Sequence, residues 1–130
     1  MNPAASPSPL VRQKLVNDLA RAVLTTLGAT SEEVRHAVRD RVRRRALERT
    51  GRHNGESTSP AHETEPLSEE MRAYVDAVAE HAHDVTDAQV QALLKGGLSE
   101  EAVFELTVVA AVARGIFQLE RGLAALEAGN

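Results

Sequence analysis

Hydrophobic side chains recur along this chain at intervals of three and four residues, the spacing that gathers them on one face of an α-helix. Val11, Leu15, Leu19, Ala22 and Val23 make one such stripe, with Lys14, Asp18, Arg21 and Thr25 opposite, and predict a first helix from Leu10 to Leu27. Gly28 stands where a helix C′ glycine is expected. Thr30 and Glu33 read as a capping box opening a second helix that runs to about Arg49. Its stripe of Val34, Ala37, Val38 and Val42 is interrupted by Arg41 and Arg45, which predicts a helix with no deeply buried side.

The pattern is stronger further on. Ser68 is placed to cap a helix from about Glu69 to His83, with Met71, Tyr74, Val75, Val78, Ala79 and Ala82 on one face. Thr86 and Gln89 form a further capping box, and the helix they open ends at Gly96 and Gly97. Ser99 then precedes a long helix from Glu100 to about Glu127, apolar nearly all the way round between Ala102 and Leu119. A helix of that kind has to be covered. Between the two sets of helices, TGRHNGESTSPAHETEP has almost no apolar content. The predicted organisation is therefore an all-α chain: a disordered segment at 1–9, a helical arm at 10–50, a linker at 51–66 and a helical core at 67–127.

Composition narrows the chemistry. The only aromatic residues are Tyr74, Phe104 and Phe117, so the core is built from Val, Leu, Ala and Ile, and base- or sugar-stacking platforms have nothing to stand on. There is no cysteine, which excludes disulfides, thiolate nucleophiles and zinc–thiolate sites. The opening MNPAASPSPL lacks the features of a signal peptide, and no unbroken apolar run reaches the roughly 18 residues of a membrane span. The expectation is a cytoplasmic protein without membrane partners. Charge is divided unevenly: residues 1–52 carry 11 basic and 5 acidic side chains, a net of +6, while residues 53–130 carry 4 and 14, a net of −10. The two halves attract each other within one chain or between chains.

The stretch from Met71 to Leu126, in which GGLSEEAVFEL leads into the long apolar helix, resembles the carboxymuconolactone decarboxylase superfamily with its AhpD-like members. The resemblance implies an all-helical fold and assembly as a trimer or hexamer. Redox members of that superfamily carry Cys-x-x-Cys followed by His; the corresponding segment here reads HAHDVTDAQ, so a thiol–disulfide relay is chemically impossible. Decarboxylase members act without the cysteine pair.

Three function classes follow. The first is a non-redox, self-associating binding or scaffolding module without cofactor or metal, its small-molecule ligand, if any, undefined. The second is a cofactor-independent enzyme of the decarboxylase type, with Glu105, His81 or His83 as the acid or base. Glu105 and Arg114 interrupt the apolar helix, and a buried unpaired carboxylate has a raised pKa suited to a base; the structural alternative is a paired charge in a polar seam or interface. His81 and His83, with Asp84 and Asp87, have metal-binding side chains, but residues two apart on a helix do not share a face, and a pair lining the end of the helix is the simpler reading. The third class is nucleic-acid binding through Arg35, Arg39, Arg41, Arg43, Arg44, Arg45, Arg49 and Arg52. The absence of interleaved aromatics and the acidic balance of the whole chain argue against it, and favour docking of the arginines on the acidic half.

Overall fold

The local signals at the helix ends decide where each element begins and stops. In the computed structural model, which describes residues 8–26, 28–49 and 66–128, five α-helices and one short 3-10 turn account for the secondary structure of the described residues. They are α1 (Pro9–Thr26), α2 (Glu32–Arg49), α3 (Glu69–Glu80), α4 (Asp87–Lys95) and α5 (Glu100–Ala128), with the turn at Ala82–Asp84. The fold is all-α. Residues 1–7 and most of the expected linker lie outside the described residues.

Ser68 caps α3 by accepting the Met71 N–H, and Thr86 and Gln89 form the reciprocal capping box of α4. Ser99 accepts the Ala102 N–H at the start of α5. At the end of α4 the Leu98 N–H bonds the Leu93 carbonyl and the Gly97 N–H bonds that of Leu94, the paired bonds of a Schellman motif. Gly97 has φ +108°, a conformation that side-chain-bearing residues rarely adopt.

Three signals resolve differently from the sequence expectation, the first being that α3 stops at Glu80 instead of running to His83. The cap of α2 is Ser31, whose Oγ accepts the Val34 N–H, because the Thr30 side chain is engaged elsewhere. Gly28 is not a left-handed terminator either: its N–H is drawn to a side chain of α5.

The core is shared by α2, α3, α4 and α5. Val38 and Val42 are buried with Met71, Tyr74, Val75, Val78, Leu93, Val103, Leu106, Val109 and Ala110. Helix α2 therefore does have a deeply buried side, made of Arg35, Val38, Val42 and Ala46. Arg41 and Arg45, expected to interrupt its stripe, flank it instead. Arg41 makes a two-pronged bond to Asp76 at 2.8 and 2.7 Å, and Arg45 does the same to Glu80 at 2.6 and 3.1 Å. Arg49 joins Glu80 at 3.2 Å, and Arg43 meets Glu120 at 2.8 Å.

Helix α1 lies antiparallel to α5. Arg12 pairs with Glu127 near one end, and the residues after α1 meet Glu105 near the other. It buries Val16 and Ala20, with Val23 packed against the core. The stripe expected to face inward, Val11, Leu15, Leu19 and Ala22, is instead exposed. Burying Val16 and Ala20 brings the helix onto α5 along the neighbouring face and leaves the richer stripe to solvent.

Candidate functional site

Glu105 is 7% exposed and lies on the face of α5 beneath the α1–α2 connection. Its Oε2 accepts the N–H groups of Gly28 at 3.0 Å and Ala29 at 2.7 Å. Its Oε1 accepts the Thr30 N–H at 2.8 Å and the Thr30 hydroxyl at 2.7 Å. Three consecutive amides thus converge on one carboxylate, a concave donor array that favours an anion. Arg35, 3% exposed, stands 3.9 Å from Oε1 and donates through Nη1 to the Thr30 carbonyl and, at 3.2 Å, to the Thr30 hydroxyl.

The protonation state follows from this geometry. Burial pulls the Glu105 pKa upward, but the bonds from Ala29, from the Thr30 side chain and backbone, and from Gly28 outweigh it and hold the carboxyl below the ordinary glutamate value. The group is anionic, and both oxygens are engaged with donors. That arrangement ties a loop to a helix. It leaves little basicity for abstracting a proton.

The other acid–base candidates lie apart from that carboxylate's donors. Helix α3 ends at Glu80, so His81 is its C-cap and His83 sits in the 3-10 turn; both are exposed. His83 Nε2 is 3.6 Å from Asp84 Oδ1. The hollow beside Glu105 is lined by Gly28, Ala29, Glu101, Phe104 and Glu105, with no histidine among them. Among the described residues no group of three His, Asp or Glu side chains could hold one metal ion. Arg114 does not pair with Glu105: its guanidinium lies over the Phe117 ring, 5.9 Å from the centroid, with Arg121 at 5.8 Å.

The acidic end of α3 is a second charged centre. Hydrogen bonding from Arg45 holds the Glu80 carboxylate below its ordinary value against the opposing effect of burial, with Arg45 and Arg49 charges adding to it. Arg41, Arg43, Arg45 and Arg49 of α2 are thereby engaged by carboxylates of α3 and α5.

A hollow lies between α1, α2 and α5, with Ala20, Val23, Val109, Val112, Ala113 and Ile116 on its apolar walls and Arg39 and Arg43 of α2 closing it. At about 20 Å³ it has room for about one water and none for a substrate.

What the molecule displays instead is apolar surface. Phe104 is 63% exposed and Leu15 57%, and Val11, Leu19 and Leu119 are also exposed. By length and composition α5 could cross a membrane, yet 39% of its apolar window is buried inside this fold. The sequence signal for this surface was present in the all-round apolarity of α5; which face stays open was not readable without the packing of its neighbours.

Comparison of the chain with family models, with curated proteins and with solved structures finds no match.

Proposed function

We propose that this chain is a self-associating helical module of AhpD-like layout that works by binding through an apolar helical face, not by acid–base catalysis. One observation carries the reading: α1 and α5 together leave Val11, Leu15, Leu19, Phe104 and Leu119 in solvent, while the buried ionisable residues are engaged in holding the fold. An exposed apolar patch of this extent on a small domain marks a contact surface. The α3–α4–α5 order, with its Gly-Gly-Leu-Ser passage into a long apolar helix, supports the family resemblance as a layout. A cytoplasmic location fits this reading.

The test is solution mass. Light scattering or sedimentation at micromolar concentration is expected to give a mass above the 14.0 kDa of one chain. A monomer that unfolds cooperatively, with its apolar face open to water, would sink the reading.

A further inference from the structure

Helix α5 presents to solvent the residues 104, 108, 111, 115, 119 and 122, which are Phe, Val, Ala, Gly, Leu and Gly; each is exposed except Val108, which is half-buried. Successive steps of four, three, four, four and three residues keep them within one narrow stripe of a 3.6-residue helix. The stripe carries no charge. Its two glycines have no reason inside the fold, since a Cβ added at Gly115 or at Gly122 would meet nothing within 4 Å. Mid-helix glycine weakens a helix relative to alanine, and its use is close approach by another backbone. Here that backbone has to come from outside the described fold.

The spacing says which backbone fits. The positions 108, 111, 115, 119 and 122 are symmetric about 115. Laid antiparallel on a copy of itself and centred there, the stripe sets Val108 opposite Gly122, Ala111 opposite Leu119, and Gly115 opposite Gly115. Large faces small at the two steps on either side of the centre, the crossing point carries no side chain, and Phe104 falls opposite Leu126 at the two ends. A two-fold interface demands such self-complementarity.

Helix α1 extends the face on one side. Asn17, Arg21 and Thr25 share a hollow with Glu32, His36 and Arg39 of α2, so the opposite flank of α1 points away from α2. That flank is Val11, Leu15, Leu19 and Ala22, all exposed, and just past the end of α1 Gly28 and Ala29 share a hollow with Phe104 of the α5 stripe. Five large apolar side chains of the two helices, Val11, Leu15, Leu19, Phe104 and Leu119, are each at least 45% exposed, and an interface that covers such side chains buries roughly 800 Å² per partner. The chain's own segment 51–65, GRHNGESTSPAHETE, is too polar to cover it.

We infer that a second copy of this chain covers the α1/α5 face, with α5 antiparallel to its counterpart and the two-fold axis at Gly115. The inference rests on the self-association reading, specifies its partner and geometry, and sets a two-fold pair in place of the trimer or hexamer that the resemblance implies. Because the chain has no cysteine, Gly115→Cys introduces the sole thiol, and a two-fold at that position brings two copies of it within disulfide reach. Three measurements decide. The unmodified chain is expected at twice 14.0 kDa. Gly115→Cys is expected to cross-link into a covalent dimer under mild oxidant, and a mixture of Val108→Cys and Gly122→Cys chains to form the heterodimer in preference to either homodimer. Gly115→Glu is expected to halve the mass while keeping its helical circular dichroism, since the added side chain has open space in the single chain. A trimer, or a dimer that neither cross-links at 115 nor responds to Gly115→Glu, overturns the inference and leaves self-association standing. A monomer overturns both, and a monomer that floats with phospholipid vesicles assigns the face to lipid instead.

Discussion

Three consecutive amides and one hydroxyl aimed at Glu105 make that side chain a fastener between α5 and the α1–α2 connection. Glu105→Gln keeps the shape but replaces one acceptor oxygen with an NH2 group facing donors, leaving at least one part-buried N–H without its acceptor. A loss of about 3 kcal/mol in unfolding free energy is expected, measured by denaturant titration near neutral pH. The same side chain sets a pH dependence. Its folded-state pKa is depressed, so its stabilisation is fully present above the ordinary glutamate range and is lost as pH falls through the folded value. The unmodified protein should therefore lose stability toward Glu105→Gln on acidification, the gap closing below that range. A constant gap at every pH would show that the carboxylate charge contributes nothing. From sequence, Glu105 was visible as a charge inside an apolar helix, but not its partners, which lie 75 to 77 residues away. Arg114, the other charge inside that helix, lies over the Phe117 ring.

At the scale of elements, helix ends were far more legible than helix faces. Ser68, Thr86 with Gln89, and Ser99 cap where the sequence places them, because capping is a contact between residues two or three apart. The one shifted cap, Ser31 for Thr30, moved because a distant carboxylate claimed the threonine. Faces depend on neighbours that a local window does not contain. Helix α2 buries Val38 completely although arginines crowd its stripe, since Asp76 and Glu80 of α3 receive Arg41 and Arg45 alongside. Helix α1 shows the opposite outcome, with Val16 and Ala20 inside and Leu15 and Leu19 outside. Val38→Ala is expected to cost about 2 kcal/mol in a single cooperative transition, because its cavity opens between α2 and the α3–α5 packing. A two-step melt, with only the first step moved by the substitution, would mean that α2 is a separable arm.

Taken as one molecule, the uneven charge of the sequence is resolved by internal pairing. Arg41, Arg43, Arg45 and Arg49 of α2 each meet a carboxylate of α3 or α5, and Arg12 meets Glu127. A phosphate backbone would have to displace those carboxylates from a chain whose net charge is −4. No saturable binding to duplex DNA is expected at ~0.15 M salt by fluorescence anisotropy. Tight binding with a steep salt slope, flattened by Arg43→Ala and Arg44→Ala, would restore the nucleic-acid reading.

The attachment of residues 28–30 to position 105 also bears on the order in which the chain acquires its shape. Closing so long a span is entropically slow compared with forming either helix of the N-terminal pair. During synthesis α1 and α2 emerge well before α5, and the amides at Gly28, Ala29 and Thr30 have no native acceptor until it follows. The α1–α2 connection must wait for a carboxylate made 75 to 77 residues later, which places its final docking after α2 has met α3.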